Sequence, residues 1–161
     1  MVEVEPQTTV GHPSQEPSLA FLDTDVVLAY LRGDPTAMQL FRAESDGRIR
    51  FAINPTVLGE LILTADDAAK PELNRILDHL KMLPMDYPKA KALTAKVARA
   101  MDAPNGHARN RMPHPADIIN ASSAADCDFL VTSNKLLQGL VAGAKPQVIA
   151  LNELVARLHA A

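Results

Sequence analysis

Cysteine is almost absent from this sequence of 161 residues, in which Cys127 is the only example. An internal disulfide and a zinc site built from several cysteines are therefore excluded. The five histidines show no spacing typical of metal ligands either. Any metal ion bound by this chain would consequently have to be held by oxygen atoms.

Long hydrophobic runs are also absent. The stretch from Phe51 to Ala65 is interrupted by Glu60 and has 15 residues, fewer than the roughly 20 that a membrane-spanning helix needs. The N-terminal residues, MVEVE, lack the basic-then-apolar pattern of a secretory signal. We therefore expect a cytoplasmic protein without a membrane partner, and its 47% hydrophobic content suffices for one domain with a core.

An excess of positive charge is missing as well. The net charge of -3 and the pI near 5.9 argue against a protein that coats nucleic acid through bulk charge. The segment from Asp86 to Arg111 nevertheless contains only two acidic residues and six basic ones: Lys89, Lys91, Lys96, Arg99, Arg109 and Arg111. This segment either contacts phosphate groups or presents solvated helix positions, and the sequence slightly favours the second interpretation.

The order of predicted elements indicates the fold class. Residues 1–18 are rich in Pro, Glu, Gln, Ser and Thr and predict a disordered tail, which leaves residues 19–161 as a single domain. Strands are predicted at residues 20–22 and in RIRFAI, FLVT and QVIAL. Helices are predicted in TDVVLAYLRGD, with Thr24 as N-cap and Gly33 as stop, in PTAMQLFRAESDG and NPTVLGELILTA, at residues 71–82, 88–103 and 115–125, from residue 135, and in NELVARLHA. This alternation predicts an α/β fold with a parallel sheet covered by helices on both faces.

The ends of the predicted strands sort the acidic residues into two groups. Ligands bind at the carboxyl ends of the strands in open α/β sheets. Asp23 ends the first strand and Asn134 follows FLVT, so both are expected at this functional edge. Asp126 and Asp128 precede FLVT and are expected at the opposite edge.

Two further acids are conspicuous because their surroundings are apolar. Glu60 is the only charged residue in NPTVLGELILTA, where it either approaches the core and needs a partner or a cation, or occupies the exposed stripe of the helix. Asp117 is the only charged residue in PADIINASSAA, where it either serves a site or only complements the helix dipole.

Taken together, Asp23, Glu60, Asp117 and Asn134 offer oxygen atoms from four different segments. Converging carboxylates repel one another, so such a cluster makes physical sense chiefly around a hard cation such as Mg²⁺ or Mn²⁺. The set therefore suggests phosphoryl-transfer chemistry.

Three segments, LDTDVVLAYL, NPTVLGEL and HPADIINASSAADCDFLVTSN, resemble the motif blocks of the PIN domain. Their length and order resemble the VapC-type ribonuclease toxins of bacterial toxin–antitoxin modules, and the resemblance spans Leu19 to Leu151. It implies a PIN-like α/β/α sandwich with a central, mostly parallel sheet. Proteins of this family often form homodimers. The resemblance also implies Mg²⁺- or Mn²⁺-dependent endonuclease activity on RNA, and a cognate antitoxin protein that could place an Arg among the acids.

The resemblance also assigns roles to residues. The family's first three acids, the metal ligands, fall on Asp23, Glu60 and Asp117, and its fourth catalytic position falls on Asn134. In this mechanism one or two metal ions activate water for in-line attack on a phosphodiester. We add two hypotheses of our own: Thr132 or Ser133 hydrogen-bonds a ligating carboxylate or the substrate phosphate, and two loop residues contact the RNA backbone, Arg109 and Arg111.

Two positions depart from the family pattern. Asn134 offers a neutral carbonyl oxygen where the family has an aspartate, which would weaken metal binding, and it could also cap the helix that follows. Asp25 stands where the family commonly has a small polar residue. It either restores some of the missing negative charge or is only an acid in a first helical turn.

Two alternatives to the ribonuclease remain at this point. One is a catalytically weakened PIN-like module that binds RNA or a protein without cutting. The other, ranked lower, is a haloacid-dehalogenase-like phosphatase, which DTD after a strand loosely resembles. That family needs a downstream acidic pair, and Glu153 is the only acid after Asp128.

Overall fold

The computed structural model describes residues 16–101, 114–134, 137 and 145–160. Residues 1–15 of the predicted tail, the whole loop APNGHARNRMP and nearly all of the helix predicted from residue 135 lie outside these ranges. Within them, no helix combines the length and apolar character needed to cross a membrane.

The described strands form one sheet. All four pairings are parallel, and the strand order is β3-β2-β1-β4-β5. The strands are β1 (Ser18–Leu22), β2 (Ile49–Ile53), β3 (Leu80–Met82), β4 (Phe129–Val131) and β5 (Gln147–Ile149). The predicted parallel sheet is thus confirmed.

Seven α-helices accompany the sheet in the described ranges. They are α1 (Thr24–Leu31), α2 (Pro35–Ser45), α3 (Pro55–Thr64), α4 (Lys70–Leu77), α5 (Tyr87–Met101), α6 (Pro115–Ser123) and α7 (Leu151–Ala160). Consecutive residues of central β1, from Ala20 to Leu22, are all fully buried. Because side chains alternate between the faces of a strand, this burial requires cover on both faces, as in an α/β/α sandwich.

Sequence reasoning misplaced several element ends. The helix predicted at residues 71–82 ends at Leu77, and Leu80–Met82 forms β3 instead. The unpaired edge of β2 explains this change, since it offers backbone partners to β3 and Leu83 N donates to Ile53 O at 2.8 Å. In addition, β1 begins at Ser18 rather than residue 20, and α6 ends at Ser123 before a short 3₁₀ turn, Ala124–Asp126.

The stop predicted for α1 at Gly33 agrees with its left-handed backbone, φ +83°, which glycine adopts without steric cost. The predicted N-cap of this helix is wrong. Asp23, not Thr24, has the extended backbone of a cap, and its side chain accepts a hydrogen bond from Thr24 N. The first acid of the predicted site, Asp23, therefore also begins the helix.

The single cysteine lies in the core. Burial, together with the nearby charges of Asp128 and Asp126, raises the pKa of the Cys127 thiol from 9.0 to about 11. Because the thiolate is the reactive form, we expect native protein at mildly alkaline pH to react with a soluble maleimide at least about a hundredfold more slowly than protein unfolded in urea. Rapid labelling of protein with native circular dichroism would contradict this and indicate local opening around β4.

Candidate active site

Asp23 lies at the carboxyl end of central β1. Its backbone N donates to Val131 O at 3.1 Å, which ties this end of β1 to β4. Its Oδ1 accepts from Thr24 N at 2.8 Å, and its Oδ2 accepts from Thr132 Oγ1 at 2.8 Å. Two of the predicted site residues, Asp23 and Thr132, are thus in direct contact, and the carboxylate is held at both oxygens.

The electrostatics of Asp23 are those of a partly desolvated acid among other acids. Burial is the largest influence and raises the pKa of this carboxyl, while the hydrogen bonds from Thr132 and Thr24 lower it. The negative charges of Asp117 and Asp25 raise the pKa further. Asp117 and Asp25 are therefore close enough to act on Asp23 electrostatically.

Asp117 joins the site through the segment that follows β4. Asn134 Nδ2 donates to Asp117 Oδ2 at 3.1 Å, and Asn134 N donates to Thr132 Oγ1 at 3.1 Å. Thr132 in turn donates to Asp23, so one short segment bonds both acids. Ser133 is exposed, and its Oγ donates to Asp25 Oδ2 at 3.4 Å.

Glu60 approaches the same edge from α3 and is partly buried. Its carboxylate accepts a hydrogen bond from the hydroxyl of Thr24, the residue after Asp23. Among the described residues, no group of three or more His, Cys, Asp or Glu side chains is arranged to hold a metal ion. The participation of Glu60 with Asp23 and Asp117 in one metal site therefore stays a prediction.

The donor set nevertheless fits a hard cation. Mg²⁺ is usually bound through one or two carboxylates, with water molecules and substrate phosphates completing its octahedron. Asp23 and Asp117 provide two carboxylates, and within the described ranges no ion pair engages either of them or Glu60. Negative charge at this edge is thus not neutralised by a described basic side chain.

Two buried residues of the site were missed by sequence reasoning. Asn54 follows β2 at the same edge, caps α3, and donates through Nδ2 to Asn120 Oδ1 and Ser123 Oγ, both at 3.0 Å. Asn120, one helical turn after Asp117, directs Nδ2 to Asp23 Oδ1 at 3.5 Å. The available signal was that Asn54 directly follows an apolar strand, just as Asp23 does.

Asp126 and Asp128 lie at the edge of the sheet opposite to the site, as predicted. Asp128 Oδ2 accepts from Leu19 N at 2.9 Å, and its Oδ1 lies 3.2 Å from Lys145 Nζ. Lys89 is the first basic residue of the segment from Asp86 to Arg111, and its Nζ lies 3.7 Å from Oδ2 of both Asp86 and Asp126. Arg109 and Arg111 lie outside the described residues, so their contact with RNA stays a prediction.

Two cavities differ in their relation to the site. One of 510 Å³ is lined by residues of α1, α2, α4 and the sheet, including Tyr30, Phe41 and Arg75, and includes none of the predicted site residues. The other, of 330 Å³, is lined by Asp25 and Ser133 together with residues of α1, α2 and α7. Only the second cavity adjoins the acidic edge.

Comparison with solved structures decides the fold type. A chain in the crystal structure of VapBC2 from Rickettsia felis bound to a DNA fragment from their promoter superposes with a TM-score of 0.59 and 16% identity, covering 82% of this chain and 96% of that one. A chain of DNA-bound VapBC from Salmonella typhimurium gives 0.58 and 18%, covering 83% and 98%. The protein has a PIN-like fold.

A third PIN-like neighbour comes from a toxin-antitoxin complex of Klebsiella pneumoniae, with a TM-score of 0.57 and 18% identity, covering 82% of this chain and 97% of that one. No protein-family model matches the sequence, and no curated protein matches it. The resemblance inferred from the three sequence segments is thus confirmed for the fold. Within the PIN-like fold, Asp23, Thr132, Asn134 and Asp117 are brought together.

Proposed function

We propose that this protein is a metal-dependent endoribonuclease and the toxin component of a toxin–antitoxin pair. The observation that carries the proposal is the segment after β4, where Thr132 and Asn134 bond Asp23 and Asp117 at the carboxyl edge of the sheet. Two carboxylates held at one edge, where the charge of Asp117 helps to raise the pKa of Asp23, are useful to a cation-dependent reaction. The likeness of the fold to chains of VapBC complexes supports the toxin assignment.

The chain's own residues supply orientation. Asp23 and Asp117 would hold Mg²⁺ or Mn²⁺, with Glu60 as the third predicted ligand. A bound ion of this kind supplies an activated water and neutralises charge on phosphate oxygens. Thr132 and Thr24 hold the two oxygens of Asp23, and the Thr24 hydroxyl also orients Glu60.

Substrate contact is assigned to Ser133 and to two residues of the predicted loop, Arg109 and Arg111. The Ser133 hydroxyl is exposed between Thr132 and Asn134 and can donate to a phosphate oxygen of the RNA. Arg109 and Arg111 would neutralise neighbouring phosphates of the backbone. The acidic edge itself repels RNA, so productive binding requires both the metal ion and these donors.

A non-cleaving module is the second candidate, and the Asn134 amide favours it. This amide donates to Asp117, so it relieves part of the repulsion that a bound metal ion would otherwise relieve. A site that is stabilised in this way depends less on metal. Such a module would bind RNA or a protein through the same edge.

Partners follow from the same proposal. An antitoxin would cover the acidic edge and pair an Arg with the carboxylates, as charge complementarity favours. A homodimer, the other proposed association, has exposed apolar residues available on α3, where Ile62 and Leu63 face solvent.

Cleavage of a structured RNA by purified protein in Mn²⁺ tests the function. We expect cleavage that stops on chelation and falls by at least about a hundredfold in Asp117→Asn, because losing a metal ligand costs several kcal/mol of transition-state stabilisation. Asp126→Asn, an acid at the opposite edge, is the matched control and should cleave like the native protein.

The same assay separates the two candidates. Asn134→Asp restores a fourth acid and is expected to strengthen Mn²⁺ binding in a calorimetric titration. Native protein that cleaves in Mn²⁺ supports the ribonuclease. Native protein that neither binds Mn²⁺ nor cleaves, while Asn134→Asp binds it, would support the non-cleaving module.

A further inference from the structure

A chain of buried side-chain amides leads from the end of β2 to Asp23. Asn54 is 0% exposed and Asn120 is 2% exposed. Asn54 Nδ2 donates to Asn120 Oδ1 at 3.0 Å, and Asn120 Nδ2 points to Asp23 Oδ1 at 3.5 Å. We refer to these two residues, Asn54 and Asn120, as the amide relay.

The direction of the relay is fixed by the backbone. Val57 N donates to Asn54 Oδ1 at 2.9 Å, because Asn54 is the N-cap of α3, and a backbone N–H can only donate. The other end of the Asn54 amide must therefore be the donor, and Asn120 must accept through Oδ1. This leaves Nδ2 of Asn120 facing Asp23, so the relay presents an N–H donor and not an oxygen to the carboxylate.

A second bond keeps Asn54 in this orientation. Its Nδ2 also donates to Ser123 Oγ at 3.0 Å, and Ser123 Oγ donates to Pro84 O at 3.1 Å. Among the described residues, no buried side-chain nitrogen or oxygen lacks a hydrogen-bond partner. The amide of Asn54 thus has its hydrogen-bond partners inside the protein, and the last donor of the relay, Asn120 Nδ2, points to Asp23.

We propose that the amide relay consists of two positioning residues, Asn54 and Asn120, which turn the Asp23 carboxylate so that it can bind a divalent cation. The proposal deepens the proposed function and rests on it. A buried amide pair costs free energy relative to apolar side chains of similar size unless every group is bonded. Here the last donor of the buried pair points to one oxygen of Asp23, Oδ1, which also caps α1.

The relay complements the contact made by Thr132. Thr132 approaches Oδ2 of Asp23 from the segment after β4, while Asn120 approaches Oδ1 from α6. Donors at both oxygens restrict rotation of the carboxylate about its χ2 torsion. Outer partners of this type tune the affinity of metal sites by about 10- to 100-fold when they are mutated.

Two substitutions break the relay at different points. Asn120→Leu removes the donor that faces Asp23. Asn54→Ser keeps a side-chain oxygen that can cap α3 but is too short to reach Asn120, which then loses its fixed orientation. Ser122→Ala is the matched control, since Ser122 is buried on the same helix and its hydroxyl, among the described residues, bonds only to Ile118 O of its own helix.

The measurement is the Mn²⁺ affinity of the folded protein, followed by calorimetry or by Mn²⁺ paramagnetic broadening. We expect a loss of about tenfold in each relay variant and no change in Ser122→Ala. Because both residues act through one path, the double variant Asn54→Ser with Asn120→Leu should lose no more affinity than the worse single variant. A purely structural role would lower thermal stability and leave the affinity of the folded fraction unchanged.

The outcomes separate the relay from the proposed function. Native protein that binds Mn²⁺, with relay variants that bind equally well, overturns the relay and leaves the function intact. Native protein that fails to bind Mn²⁺ overturns both. If Asn120→Leu fails to fold, Asn54→Ser still decides, because its cap oxygen and its neutral charge are preserved.

Discussion

Replacing Asp23 with Asn is expected to abolish metal-dependent cleavage and at the same time to make the protein more stable. The loss of activity should be at least about a hundredfold, since a metal ligand is worth several kcal/mol in the transition state. The gain in stability arises because burial and the charges of Asp117 and Asp25 disfavour the ionised carboxylate. Asn keeps the oxygen that caps α1 and removes that charge.

The stability gained by Asp23→Asn should be larger at neutral pH than at acid pH. The pKa of Asp23 is raised in the folded protein, so the native state holds this proton more tightly than the unfolded chain. The stability contributed by this group therefore falls as pH rises from the ordinary value of 3.8 through the raised native pKa, and stays low above it. Asn does not titrate, so its advantage should be present at neutral pH and should shrink towards acid pH.

Thermal unfolding without metal, measured at several pH values, checks this result. Each kcal/mol recovered at neutral pH should raise Tm by roughly 2–4 °C for a chain of this size. Asp126→Asn, an exposed acid of the 3₁₀ turn, provides the control and should change Tm little. A fall in Tm for Asp23→Asn at neutral pH would mean that hydrogen bonds to the carboxylate outweigh its desolvation.

The second large effect concerns the helix that carries Glu60. Leu61→Ala should destabilise the protein by about 2–5 kcal/mol, because Leu61 is fully buried and its truncation leaves a cavity in a packed core. Chemical denaturation should show this loss as a lower midpoint with an unchanged slope. The rate of RNA cleavage per folded molecule should fall by a smaller factor than the equilibrium constant for folding does, since the acids themselves remain.

The same helix offers the control. Leu63 is two residues away and 86% exposed, so Leu63→Ala removes the same atoms from a site where they contact mainly water. Its free energy of unfolding is expected to stay within about 0.5 kcal/mol of the native value. Equal losses at both positions would show that the exposed face of α3 is covered in solution, for example by a second copy of the chain.

Much of the fold could be predicted from the sequence because its signals are local. Apolar segments bounded by Pro, Gly and Asn marked β1, β2, β4 and β5, and the prolines at residues 35, 55 and 115 lie in the first turns of three helices. Strand β3 could not be recognised, since LKM has no strand pattern of its own. It becomes a strand only because β2 offers an unpaired edge.

The site divides in the same way. Asp23 and Asn134 were assigned to one edge because they follow strands, and the structure brings both into contact with Thr132. The amide relay was missed because nothing in the sequence near Asn54 or Asn120 indicates that residues 66 positions apart are bonded. Burial of an amide is a property of the packed fold and not of its neighbours in the chain.

The separation of the site's two halves along the chain also bears on when the protein can act. Asp23 is held by Thr132, 109 positions later, and β1 borders β4 from the far end of the sequence. During synthesis the acid of β1 leaves the ribosome long before the residues that orient it. For most of translation the chain therefore lacks the residues that orient Asp23. Under the proposed function, an antitoxin made in that interval would be present before the site is assembled.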